Sequence, residues 1–170
     1  LMSRDGDGFV RWDSGQQLAL QVIHEVQQQL REKKTPAVDL LLGQAFANLL
    51  ASDSLDPALT ADMLSLPGEN LLAEIASQSG TADVDGIHAA RTAVREAVAG
   101  TQQAEFLACF NRLPSAGVYA PNAAQVATRS LRNTCLNYLA ISNSEHLELA
   151  LAQFHCADNM TDRLAALRVL

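Results

Sequence analysis

Apolar residues recur along this chain at steps of three and four, and the widest such stripe runs from Val126 to Ala140. Ala124, Ala127, Leu131, Cys135 and Tyr138 share one sector, with Leu136 and Leu139 beside them, which predicts a central helix with a broad buried face. Arg129, Arg132, Asn133 and Asn137 fall on the remaining sector. That strip must meet water, a loop or another domain, because arginine is rarely buried without a partner.

The same period predicts helices on both sides. Asp13 is the expected N-cap of a first long helix running to about Glu32, with Gln16 as its capping-box partner and Leu18, Val22, Ile23, Val26 and Leu30 as its buried face. Thr35-Pro36 predicts the start of a second helix through Val38, Leu42, Phe46 and Leu49, antiparallel to the first. Asp56-Pro57 opens a short helix that Pro67-Gly68 closes, and Leu71 to Ala76 suggests another. From Asp83 the pattern passes through Ile87, Ala90, Val94 and Val98 to an interruption at Gly100-Thr101, which reads as a kink or a full break. Phe106, Leu107 and Phe110 carry the next helix, and Pro114 to Pro121 is a loop. Beyond the central helix, a turn at Ser142 to Ser144 leads to a helix through Leu147, Leu151 and Phe154, then to a last one started by Thr161. No stretch alternates apolar and polar residues long enough to form a strand. The expected class is all-α: residues 1–170 form one helical segment, an irregular α-solenoid of antiparallel helix pairs with no fixed repeat length.

Composition sharpens this picture. A chain of 170 residues can bury a real core, and with 48% hydrophobic residues but five Phe, two Tyr and one Trp it favours helix. The net charge of −7, without any Lys/Arg run, removes the electrostatic basis for binding nucleic acid or an anionic membrane. No apolar run approaches the ~20 residues of a membrane span, and the polar start lacks the regions of a signal peptide. Cys109, Cys135 and Cys156 are odd in number, lack CxxC spacing and sit in apolar helical contexts. They read as buried thiols of a reducing compartment, hence a cytoplasmic protein. At the other end, Leu164, Leu167 and Leu170 with Ala165 and Val169 form an apolar sector that stops without a cap. The expectation is a segment cut from a larger protein, whose bare last helix folds back on Leu147, Leu151 and Phe154 or pairs two copies into a truncation-induced dimer.

Candidate chemistry is sparse. Ser3 to Ser14 resembles a calcium loop at Asp5, Asp7, Gly8 and Phe9. It lacks the first carboxylate and the closing Glu that the ion requires, so a Gly-rich turn feeding Asp13 is the better account. His24-Glu25 begins a zinc-protease helix pattern, but Gln28 stands where the second His belongs. Asn159-Met160-Thr161 is formally a glycosylation sequon, better explained by an N-cap at Thr161. No G-x-S-x-G, P-loop or G-x-G-x-x-G occurs, so no catalytic residue, metal ligand or cofactor site is assigned to the segment.

Three stretches, Gly8 to Gln16 (GFVRWDSGQ), Arg129 to Ala140 (RSLRNTCLNYLA) and Gln153 to Leu167 (QFHCADNMTDRLAAL), with the DPAL of Asp56 to Leu59, resemble the first half of the C-terminal helical domain of bacterial aminopeptidase N, in the M1 family of zinc metallopeptidases. The resemblance covers the chain. It implies a non-catalytic lid and scaffold, with catalytic and linking domains of the same polypeptide as partners and peptides as the parent's substrates. It also places zinc with its H-E-x-x-H ligands, and the G-x-M-E-N strand that holds the substrate's free amine, outside this segment. The alternative is a free-standing α-solenoid that binds a protein or peptide on its concave face. Interface candidates are Trp12, Asp13, Arg129 and Arg132. An exposed Trp12 indole would mark a junction with other domains, whereas a buried one would make it plain core.

Overall fold

The computed structural model describes residues 2, 5–78, 80–114 and 118–170. Its helices are α1 (Gly8–Arg31), α2 (Leu40–Leu50), α3 (Pro57–Met63), α4 (Glu69–Ser77), α5 (Val84–Thr101), α6 (Gln103–Arg112), α7 (Ala123–Ser142), α8 (Leu147–Cys156) and α9 (Met160–Leu167), with a single 3-10 turn at Ser144–His146. Among the described residues there is no strand. The all-α expectation holds, Asp56 caps the helix it was expected to open, and Asp83, where the pattern resumes, is the N-cap of α5.

Other caps fall elsewhere than the sequence pattern suggested. Asp7, not Asp13, caps α1: its carboxylate accepts the Phe9 and Val10 N–H groups at 2.8 and 3.1 Å. Asp13 therefore lies inside the helix, and Gln16 spans to the Ser65 carbonyl at 2.9 Å instead of closing a capping box. The extra turn is held by tertiary contacts. Arg11 Nε donates to the Met2 carbonyl at 2.9 Å, and the Met2 side chain lies over Gly15, where a Cβ would stand 3.1 Å from its Cε and Sδ atoms. Such close approach is what glycine permits.

The second helix starts at Leu40, capped by Asp39, rather than at Pro36. Lys33, at φ 57°, closes α1, and the Lys34 N–H returns to the Gln29 carbonyl at 2.9 Å. Gln29 then holds Ala37 from both sides, accepting its N–H at 2.7 Å and donating to its carbonyl at 3.2 Å. With its N–H and carbonyl both bonded to the Gln29 side chain, Ala37 is held outside the helix. In the same way Asn159 rather than Thr161 caps α9, accepting the Asp162 N–H at 3.0 Å. The interruption near Gly100 is a full break placed at Gln102, between α5 and α6.

The core lies around α7, which packs against α3, α5, α6, α8 and α9. Leu131, Cys135, Leu136, Tyr138 and Leu139 are buried there together with Phe46, Leu64, Val94 and Phe106. Each large side chain of this kind contributes ~1.5–3 kcal/mol through burial. The expected pairing of α1 with α2 is minor. α1 lies chiefly along α5 and then α3, while α2 reaches α6, α5 and α1. Burial of the α1 face of Ala19, Val22, Ile23 and Val26 is thus long-range in sequence.

Candidate functional site

The polar sector of α7 is the richest concentration of side-chain chemistry, and the fold places it against a loop. Arg132 lies over the Phe110 ring, 3.8 Å from its centroid, and one terminal nitrogen donates to the Phe110 and Leu113 carbonyls at 2.9 Å each. These carbonyls close α6, where a cation complements the helix dipole. Burial lowers the Arg132 pKa, and the Asp162 charge opposes that shift.

Arg129 is only 5% exposed. It bonds Gln125 Oε1 at 3.0 Å and lies 5.0 Å from the Tyr119 ring centroid. Gln125 in turn accepts the Ala120 N–H at 2.8 Å and donates to the Val118 carbonyl at 3.3 Å. The Tyr119 N–H reaches Asp158 at 2.8 Å; this bond, followed by one from the Asn159 side chain, holds the Asp158 carboxyl below its ordinary value. Arg129 and Arg132 therefore tie the described part of the 110–121 segment to α7. They border an open cleft of about 450 Å³ that also includes Gln153, Cys156 and Asp158. Farther along, Asn133 donates to Asp162 at 2.8 Å and accepts from Gln153 at 2.7 Å.

Trp12 is half-buried against the core, so neither exposure nor full enclosure describes it. Its ring lies 6.0 Å from that of Phe9, which is 70% exposed. The start of α1 thus displays an apolar pair. Asp13 is partly buried.

Hydrolytic chemistry finds no constellation among the described residues: no three His, Cys, Asp or Glu side chains are grouped to hold a metal ion. His24 bonds Gln28 at 2.8 Å, His88 meets Glu69 at 2.9 Å, and His146 faces Ser142 and the Leu139 carbonyl. Ser3 and Arg4 of the calcium-like stretch lie outside the described residues, and its second half is helix. Asn159 of the sequon is buried, with its amide donated to Asp158 and Asp162. All three cysteines are free, but Cys156 is exposed, contrary to the reading of three buried thiols. Cys109 and Cys135 meet in the core. The hydrogen bond from Cys135 and the charge of Arg112 outweigh burial and bring Cys109 down to about 7, while Cys135 is pushed up by the same bond and by its enclosure.

Sequence reasoning passed over Arg91, Arg95 and Arg168, which line a second groove of about 570 Å³ beside Asn133 and Asn137. The available signal was Arg91 and Arg95 at i and i+4 with no acid one turn away on either side. No described helix is long and apolar enough to cross a membrane.

The chain is 32% identical over 168 residues to aminopeptidase N of Escherichia coli K12, a match covering 98% of this chain and 19% of that protein. For aminopeptidase N of Haemophilus influenzae the identity is 31% over 161 residues, or 95% and 18%. The chain therefore spans about a fifth of the length of these relatives. In fold it is similar to Legionella pneumophila aminopeptidase A, solved in complex with aspartic acid, at a TM-score of 0.79 and 22% identity over 98% of this chain and 20% of that one. Helices stacked on one another, with no strand among the described residues, are the class to which armadillo-type repeats belong. Residues 1–170 match the family described as "Domain of unknown function (DUF3458_C) ARM repeats", and the chain belongs to that family.

Proposed function

We propose that this chain is a non-catalytic helical portion of a zinc-dependent aminopeptidase. In this reading it is the first half of a C-terminal domain that encloses the active site and limits which substrates enter. The observation that carries it is the similarity to aminopeptidase N along nearly the whole chain, over only about a fifth of each relative. The donor set agrees with a division of labour. With Gln28 beside His24, His88 and His146 bonded elsewhere, and no group of three His, Cys, Asp or Glu among them, the described residues do not fit zinc, whose catalytic sites take three protein ligands and an open position. The metal would be held by preceding domains of the same polypeptide, where it activates water. Trp12 with Phe9 at the start of α1, and the rim of the cleft that Arg132 and the buried Arg129 line, are the surfaces through which this segment would meet those domains. The three free thiols fit a cytoplasmic enzyme.

The experiment uses the full-length polypeptide that contains this chain. It should hydrolyse aminoacyl anilides, lose activity to a chelator and regain it with zinc. It should also cleave short peptides far faster than a folded protein bearing the same N-terminal residue. Absence of metal-dependent hydrolysis refutes the aminopeptidase reading and favours a free-standing interaction module. Equal rates on peptide and folded protein refute the enclosing role.

A further inference from the structure

Arg91 and Arg95 stand one turn apart on α5, and with Arg168 just past α9 they line a single groove between α5, α7 and α9. The α7 wall supplies Ser130, Asn133, Thr134 and Asn137, and no Asp or Glu lines the groove. None of the three arginines forms any of the ion pairs found among the described residues. Asp162, on neighbouring α9, is held by Asn133 and Asn159.

This is an unusual arrangement on a chain of net charge −7. Like charges at i and i+4 repel, and Arg95 is half-buried, with burial and then the Arg91 charge acting against its protonated form, in part opposed by Tyr138. Each side chain on α5 is nonetheless fixed in place: Arg91 Nε donates to the Pro67 carbonyl at 2.8 Å, and Arg95 donates to Asn137 Oδ1. A guanidinium carries five N–H donors, so these bonds orient the planar forks and leave further donors for a ligand.

The geometry points to an anion-recognition site that takes the carboxylate of a peptide. Paired guanidinium forks match a carboxylate in bidentate geometry, and the hydroxyl and amide wall suits peptide backbone groups. A groove of about 570 Å³ holds a short peptide, while the acidic surroundings disfavour a long polyanion. The choice of a carboxylate over a phosphate rests on the aminopeptidase reading above.

The test is calorimetric titration of the 170-residue chain with N-acetyl-Ala-Glu-Ala-amide, its Gln counterpart and inorganic phosphate. The Glu peptide should bind saturably and about tenfold or more tightly than the Gln peptide, as expected when charge-assisted bonds are lost. The double variant Arg91→Gln, Arg95→Gln should lose this preference with helical content unchanged. Should that variant fail to fold, Arg168→Gln, at an exposed position, should still weaken Glu-peptide binding several-fold. Equal binding of the two peptides, binding of neither, retention of the preference in the variants, or phosphate bound more tightly than the Glu peptide each overturns the proposal. Because the titration reads binding without turnover, its failure leaves the aminopeptidase reading standing. That reading falls only with the full-length hydrolysis assay.

Discussion

Tyr138 combines a buried hydrogen bond with two ring contacts in the core, and replacing it separates the one from the other. Its hydroxyl donates to the Leu64 carbonyl at 2.8 Å in a fully buried setting. The ring stacks on Phe106 at 4.5 Å and 9°, and meets Phe46 edge-on at 6.1 Å and 85°. Tyr138→Phe keeps the ring and removes the donor, leaving the buried Leu64 carbonyl short of its partner. The expected cost is about 1–3 kcal/mol. Tyr138→Ala removes the ring as well and opens a cavity at the junction of α2, α3, α6 and α7, for an expected ~3–5 kcal/mol. Urea unfolding followed by circular dichroism should show two successive falls in midpoint at an unchanged slope.

Alkaline pH gives a second readout. Burial raises the Tyr138 pKa, against the charges of Arg95 and Arg91. Because the folded value lies above the unfolded one of about 10, the phenol's contribution is fully present below about pH 10. It is lost as pH climbs toward the folded value. The Phe variant should lose less stability than the wild type over that range. A Phe variant with the wild-type midpoint, and the same alkaline slope, would refute the assignment of stability to the hydroxyl.

The remaining expectations concern other parts of the fold. Arg132→Leu should destabilise the chain by about 1.5–3 kcal/mol, through loss of charged bonds to Phe110 and Leu113; Arg132→Lys should recover little of this in urea unfolding, because an ammonium cannot stack flat on the ring. A thiol reagent should modify Cys156 at once and reach Cys109 and Cys135 only on unfolding, given their exposures; three equally fast thiols by mass spectrometry would contradict the core. Leu167 and Leu170 are 56% and 53% exposed, so Leu167→Glu with Leu170→Glu should turn any self-association seen by light scattering into a monomer without loss of helix. Finally, the chain dialysed against zinc should retain less than one equivalent by metal analysis, for want of three grouped ligands.

Periodicity alone located most helices of this chain, because a three-to-four spacing of Leu, Ala and Val has one way to bury itself. It placed α7 at the centre, and it opened a helix at Asp56-Pro57 and resumed the pattern at Asp83, where short carboxylates find the first N–H groups locally. Contacts distant in sequence decided the rest. The start of α1 depends on Met2 packing over Gly15, and the delayed start of α2 depends on Gln29 holding Ala37. At the C-terminal end Ala166 is buried and Val169 packs on the core while Leu164, Leu167 and Leu170 stay exposed; which apolar side is covered is decided by the docking of α9 on α8 and α7. The polar strip of α7 was legible as a strip, but its destination was not. Whether Arg129 meets water or Tyr119, and whether Arg95 faces Asn137 across a groove, is fixed by the packing of α5, α7 and the 110–121 segment. A helix periodicity specifies which side of each helix is apolar; the pairing of those sides is chosen by the summed burial and hydrogen bonding of the whole core, a quantity that exists only once the chain is folded.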